Sequence, residues 1–365
     1  MIIGLIKETA DPRVALTPAN FSKLAQPGFE FLVESGAGAN AFFSDDDYAA
    51  HGRITDRAEV LRSADLLISV HPLPEAEWSS LKPGATLVAL FQPYVDPSTA
   101  EALDKKGFRA FSLDMIPRTT LAQAMDILSS MASISGYMAV LLGATHLSRY
   151  MPMMVTAAGT IKPAKVLILG AGVAGLQAIA MARRLGASVE AFDTRLAAKE
   201  EVESLGARFV EVEGAVDDRG AGGYAVQQSE EFLARQRAEV QARAVKADMI
   251  IATAQVRGRK APLLVTAETI GQMRPGSVIV DLAASTGGNC GLTQNNQTIQ
   301  HQGVTIIGDS NLATRLPQDA SVLFGNNVTN FLKLLLKDGT LTPDFGNEII
   351  RESCVASRKT ETAAA

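Results

Sequence analysis

Lys165-Val-Leu-Ile-Leu-Gly170-Ala-Gly172-Val-Ala-Gly175-Leu-Gln-Ala-Ile-Ala180 is the stretch on which the reading of the chain turns. Lys165 to Leu169 reads as a short apolar strand, and Val173 to Leu185 has the spacing of a helix. The glycines between them fall on a G-x-G-x-x-G turn, each for its own reason. Gly170 permits the tight turn, Gly172 lets backbone approach a pyrophosphate, and Gly175 lets the helix lie close on its strand. The helix N-terminus then offers unpaired N–H groups and the positive end of its dipole to phosphate. A second strand, Ser188 to Phe192, ends in Asp193, about 20 residues beyond the turn, where an acid that binds an adenosine ribose is expected. A carboxylate there accepts from a 2′-hydroxyl and repels a 2′-phosphate, which favours NAD(H) over NADP(H). Arg195 is a group able to pair a phosphate, but Asp193 stands at the strand end itself.

Outward from this turn, strand-like and helical segments alternate. Later strands are expected at Arg208 to Val212, Asp248 to Ala252, Ser277 to Asp281 and Val304 to Ile307, completing a six-stranded doubly wound sheet. Before it, strands are expected at Ile2 to Ile6, Phe29 to Val33, Leu66 to Val70, Thr86 to Phe91 and Arg109 to Leu113. Helical patterns lie between them, at Thr17 to Leu24 and Pro97 to Lys105. The pattern implies two Rossmann-like α/β domains, each a doubly wound parallel sheet, with a cleft between them. The first domain is read as 1–126 plus 313–365, and the NAD(H)-binding domain as 127–312. Leu121 to Tyr150 reads as one long helical stretch bridging them, and Ala320 to Lys337 as an amphipathic helix returning to the first. Gly36-Ala-Gly38 also follows a strand, but Ala41 takes the third glycine position, so it reads as a turn. Gly214 to Ser229 is long, polar and glycine-rich with one aromatic, Tyr224, as functional loops often are.

Bulk properties narrow the function classes. At 365 residues the chain exceeds one hydrophobic core. A formal net charge of −5 argues against a nucleic-acid partner. Cys290 and Cys354 match no metal or redox spacing and point to a reducing compartment. The four histidines, His51, His71, His146 and His301, show no ligand spacing, so no metal is expected. The N-terminus turns polar too soon for a signal peptide, and Met131 to Ala144, interrupted by Ser and Gly, reads as short of a membrane span; a soluble, cytoplasmic protein is expected.

The remaining chemistry gathers in Pro117-Arg118-Thr-Thr-Leu-Ala-Gln123-Ala-Met-Asp126-Ile-Leu-Ser129-Ser130. Gln123, Asp126 and Ser130 are three and four apart, the spacing of one helix face, with Ser129 beside them. Either this is a polar face at solvent, or it is the lip of a cleft that supplies donors and acceptors to ribose and carboxamide.

These segments, with Val155-Thr-Ala-Ala-Gly159, FDTR, KEEVESLGA, Gly222-Gly-Tyr224-Ala225, Ser277-Val-Ile-Val-Asp-Leu-Ala and Gly287-Gly-Asn-Cys290, resemble the NAD(H)-binding domain of proton-translocating nicotinamide nucleotide transhydrogenase. The resemblance runs from Arg13-Val-Ala-Leu-Thr-Pro18 to the region of Ile349 to Arg351. It implies a Re/Si-specific enzyme component that binds NADH and passes hydride to NADP⁺ on a separate NADP(H)-binding domain. A membrane domain couples the exchange to proton movement, and the resemblance also implies a homodimer, peripheral to the inner membrane through its partners. By position, Arg118, Gln123, Asp126, Ser129 and Tyr137 match the residues around the nicotinamide. Gly170, Gly172, Val173, Ala174, Gly175, Asp193, Thr194 and Arg195 match the fingerprint and its ribose acid, and Tyr224 matches the tyrosine of a mobile loop. Leu121 stands where relatives often carry Arg, and Gln255-Val-Arg-Gly-Arg-Lys-Ala-Pro262 is more basic than the usual version.

The residue types suit this task. Direct hydride transfer between two nicotinamides needs no proton donor or acceptor, only carbon atoms held about 3–3.5 Å apart in a water-poor cleft. Alanine dehydrogenase shares the fold and the Arg13 motif but needs proton transfers. Its Lys, His and Asp fall here on Val70, Gln92 and Ser285, which leaves that chemistry without a base. A non-catalytic NAD(H)-binding module is the third reading, and the intact Arg118, Gln123, Asp126 and Ser129 argue against it. Arg13 is a further candidate for the cleft. Trp78 and the Met151, Met153, Met154 cluster read as packing, and Asp45-Asp-Asp47 as a helix start at solvent.

Overall fold

The structure is a computed structural model that describes residues 1–212 and 229–356. Tyr224, nearly all of the polar segment from Gly214 to Ser229, and the final Thr360 to Ala365 lie outside the described residues. The chain divides into two compact units, Met1–Met131 with Leu316–Ala365, and Ala132–Arg315.

Each unit is built on a seven-stranded sheet. In the second, the spatial order runs Arg208–Phe209, Ser188–Phe192, Lys165–Leu169, Met249–Ala252, Val278–Asp281, Val304–Ile307, Thr298–His301. The first six are parallel, and Thr298–His301 is antiparallel on Val304–Ile307, one strand beyond the expected six. Apolar runs such as Val-Leu-Ile-Leu and Met-Ile-Ile-Ala form central strands because helices cover both faces and every residue must be buried. Val166 and Ile168 join one core layer, Leu167 and Leu169 the other. The first unit repeats the arrangement with two edge strands that no sequence pattern announces: Arg53–Thr55, and Cys354–Ala356 antiparallel on Arg109–Ser112.

The long helical stretch expected from Leu121 is broken. A 3-10 turn, Thr120–Met125, ends at Asp126, and a 20-residue α-helix, Ile127–His146, begins after it. The expected shortfall as a membrane span is also corrected: by length and composition this helix is apolar enough to cross one. Its glycines serve packing. A Cβ at Gly136 would stand 2.1 Å from the Ala174 carbonyl oxygen, and one at Gly143 would stand 2.9 Å from the Met249 sulfur. Likewise Ala320 to Lys337 resolves into the helix Pro317–Leu335 followed by a short strand. Trp78 is buried, with its indole N–H donating to the Leu73 carbonyl. Of the methionine cluster Met151 is core, whereas Met153 is 60% exposed.

Candidate dinucleotide site

In the second unit the chain leaves the central strand Lys165–Leu169 at Gly170. Its neighbour on one side is Ser188–Phe192 and on the other Met249–Ala252, the point where a doubly wound sheet reverses direction and opens a crevice. The three glycines there differ physically. Gly170 has φ of +100°, and a Cβ on it would lie 2.7 Å from Thr253 Oγ1. A Cβ on Gly175 would stand 1.8 Å from the Gly170 carbonyl oxygen, so the helix Val173–Arg184 can approach its strand only without one. Gly172 has ordinary extended backbone, φ −77° and ψ −170°, and a Cβ there would meet no described residue within 4 Å.

The protein itself therefore gives no reason for glycine at 172. Among the described residues no side chain caps this helix, which leaves its first N–H groups, at Val173 and Ala174, without an intrahelical partner. A pyrophosphate fits such a turn: bare backbone donors, a helix dipole, and clearance where a side chain would intrude.

Asp193 closes one side. Its carboxylate accepts from the Ala171 N–H at 2.7 Å, the Arg195 N–H at 2.8 Å, and Arg195 Nε and Nη2 at 3.0 and 3.1 Å. Arg195 also donates to the Ala171 carbonyl. Arg195, a candidate phosphate partner by sequence, thus pairs with Asp193, while Thr194 between them is exposed. All four acceptor positions of the carboxylate are engaged, so a ribose hydroxyl must share with Arg195 or displace it.

Thr253, Asp281 and Asn289 complete the turn, and no role was assigned to them from sequence. Thr253 Oγ1 donates to the carbonyls of Leu169 and Gly170. Fully buried Asp281, at the end of Val278–Asp281, accepts from the amides of Ala283, Asn289 and Cys290 and from Thr293 Oγ1. Burial raises its pKa against the pull of these donors. Burial, and then the neighbouring Asp281, push the Cys290 thiol well up, so it is not a nucleophile. Asn289, also fully buried, accepts from the Ala254 N–H and donates to the carbonyls of Ala254 and Pro262. The available signal was an Asp at a strand end, as at Asp193, within Ser277-Val-Ile-Val-Asp-Leu-Ala.

In the first unit the residues read as a lip fall on two elements rather than one helix face. Gln123 lies in the 3-10 turn, Asp126 joins turn to helix, and Ser129 and Ser130 follow in the helix. Asp126 accepts from the Ser129 N–H at 2.9 Å and its hydroxyl at 2.6 Å, which caps the helix and fixes both side chains. Buried Ala122 and Met125 anchor the turn, and Asn327 and Asn330 donate to the Ala124 carbonyl. Arg118, Leu121 and Gln123 are left exposed. Tyr137, half-buried on the helix Ile127–His146, belongs to the second unit.

Arg13 is buried in the first unit, bound by Nε and Nη2 to Asp11, which also meets His71 Nε2 at 2.8 Å. Burial would raise the Asp11 pKa, but the hydrogen bonds from His71 and Arg13 overcome it and hold the carboxyl well below its usual range. Glu8 accepts from the amides of Val70 and His71, yet burial leaves its pKa raised. Val70 is core, Gln92 is left-handed at φ +51°, and Ser285 is exposed: none supplies a base. Among the described residues no cluster of three or more His, Cys, Asp or Glu is able to hold a metal ion.

Residues 4–135 match the family model described as alanine dehydrogenase/PNT, N-terminal domain, and residues 139–363 match its C-terminal domain. The chain is 42% identical over 368 residues to the first of the chains that make up NAD(P) transhydrogenase subunit alpha in Rhodospirillum rubrum, covering 97% of this chain and 96% of that protein. It is 30% identical over 79% of its length to the alanine dehydrogenase of Mycolicibacterium smegmatis, covering 74% of that protein. Among solved structures, a transhydrogenase from Sinorhizobium meliloti superposes with a TM-score of 0.89 at 38% identity, over 98% of each chain. An L-alanine dehydrogenase superposes with 0.75 at 25% identity, over 96% of this chain and 99% of that one.

Proposed function

Because the chain belongs to the alanine dehydrogenase/PNT family, we propose that it is the NADH-binding, hydride-donating member of a proton-translocating transhydrogenase. It is a transhydrogenase component, and its coenzyme is NAD(H). The hydride goes directly to NADP⁺ on a separate NADP(H)-binding domain, and a membrane domain couples that exchange to proton movement. The chain acts at the cytoplasmic face of the inner membrane, held there by these partners.

The observation that carries the reading is the bare turn at Gly172 next to Asp193. Bound NADH supplies the hydride; the chain supplies placement. The amides of Val173 and Ala174, beside Gly172, hold the pyrophosphate, and Asp193, with Thr194 and Arg195 beside it, selects a ribose without a 2′-phosphate. Arg118, Gln123, Asp126, Ser129 and Tyr137 orient the nicotinamide end. The lock between Asp126 and Ser129 favours positioning over proton transfer, because both groups are already committed to each other.

A homodimer is part of the proposal. The hairpin of Met154–Thr156 and Gly159–Ile161 holds out Val155, 71% exposed, with Met153 and Ile161 also uncovered, an apolar arm suited to a second copy.

The test mixes the chain and NADH with a purified NADP(H)-binding transhydrogenase domain carrying NADP⁺. NADPH should form only when both proteins are present, and the chain alone should bind NADH far more tightly than NADPH. Equal affinity for the two, or turnover of alanine with NAD⁺ by the chain alone, would overturn the proposal.

A further inference from the structure

Arg257, Arg259 and Lys260 stand in a loop that carries no assigned role, and it begins at the nucleotide turn. The loop leaves the strand Met249–Ala252 through Thr253, whose hydroxyl holds the Leu169 and Gly170 carbonyls. Its two ends are fastened by one side chain: Asn289 grips Ala254 at both N–H and carbonyl, and Pro262 at its carbonyl. Both amide hydrogens and the oxygen of that side chain are used, which makes the base of the loop rigid. The Ala261 N–H donates to the Thr286 carbonyl and the Gln255 amide to the Leu282 carbonyl. At the tip, the Arg259 N–H closes a turn on the Val256 carbonyl, with Gly258 left-handed at φ +68°.

A base so fastened fixes where the loop leaves the sheet. Residues 255–260 are all exposed. Among the described residues neither Arg259 nor Lys260 has an ion-pair partner, and the Lys260 methylenes lie across Gly287. Val256 and Leu263, 51% and 59% exposed, flank the cations. In a chain of net charge −5, three cations within four residues oppose the general balance. Arginine and lysine framed by exposed apolar side chains fit a protein surface better than a free small ion, which would leave the apolar flanks in water.

We infer that this loop is a docking element for the NADP(H)-binding partner, meeting an acidic patch on that domain. The inference rests on the proposed function, since it needs that partner. Opposite charge speeds encounter and fixes orientation, the requirement when two coenzymes on different proteins must face each other. Coenzyme binding on this chain is left to the glycine turn.

The experiment compares wild type with Arg257→Glu/Arg259→Glu/Lys260→Glu, and with the same three positions changed to Gln. Hydride exchange from NADH is followed against increasing NADP(H)-binding domain at low and high salt. Expected is a rise of about tenfold or more in the partner KM for the Glu variant at low salt, and a smaller rise for Gln. The kcat at saturating partner and the affinity for NADH should be unchanged, and the three proteins should converge at about 1 M salt, where screening is nearly complete. An unchanged partner KM in a variant whose wild type exchanges hydride would overturn the docking role alone. Weakened NADH binding in the variants would also overturn it, by assigning the cations to this chain's own coenzyme. No exchange by wild type with any such domain would remove the proposed function, and the docking role with it.

Discussion

A glycine-containing turn follows a parallel strand in each unit, at Gly36 and at Gly170, and the protein fills the two to different extents. After Glu30–Glu34 the turn at Gly36 is filled from within. Asp45 accepts from the Gly36 N–H at 2.8 Å and from the Ser35 hydroxyl at 2.7 Å; a Cβ on Gly38 would run into Tyr48 and Phe43; Ala41, at the third position, is core. After Lys165–Leu169 no described side chain caps the helix that follows, and a Cβ on Gly172 would meet no described residue. The pattern of glycines is nearly the same. What separates the two turns is how far they are filled: Asp45, Tyr48 and Phe43 occupy the first, whereas the second is met at its start, where Asp193 takes the Ala171 N–H.

That contrast can be broken by substitution, beginning where the largest effect is expected. Gly175→Ala forces a Cβ onto the Gly170 carbonyl and should destabilise the second unit by about 3 kcal/mol or more, read as a fall in the midpoint of urea unfolding. Gly172→Val should leave that midpoint within about 0.5 kcal/mol of wild type. It should nevertheless weaken NADH binding by tenfold or more in a fluorescence titration, since the added methyls occupy the space left to phosphate. A loss of stability instead would show that the glycine serves the fold. In the other turn, Asp45→Ala should cost about 1 kcal/mol in stability and leave NADH affinity untouched.

The smallest effect concerns acid. The Asp11 pKa is depressed in the folded chain, so its contribution to stability is complete above the unfolded value of 3.8 and is lost as pH falls through the lower folded value. Glu8, raised by burial, acts in the opposite sense: its protonation favours the folded chain as pH falls toward 4.5. Comparing wild type with Asp11→Asn from about pH 5 to pH 2 isolates the first contribution. The asparagine variant should lose less stability across that window, measured by chemical unfolding.

The parallel architecture was legible because buried strands are written as uninterrupted apolar runs, Val-Leu-Ile-Leu and Met-Ile-Ile-Ala among them. The edge strands were not. Arg53–Thr55 and Thr298–His301 are short, and no run of apolar residues marks a strand with one exposed side. The helix start at Asp126 was overlooked although Asp126-Ile-Leu-Ser129 has capping spacing; the apolar residues around it continued the helical period and masked the break. The strand, glycine turn and helix from Lys165 to Arg184 were legible because the glycines are close together in sequence. Asn289 was not, because the two ends it joins, Ala254 and Pro262, are 35 and 27 positions away. Spacing along a chain carries no trace of such a bond.

The clearance around Gly172 has a practical consequence. One valine there should yield a sound protomer that is blind to NADH, an uncommon separation of architecture from occupancy. In the homodimer proposed above, co-expression with unmodified copies would show whether one NADH-binding copy is enough for exchange.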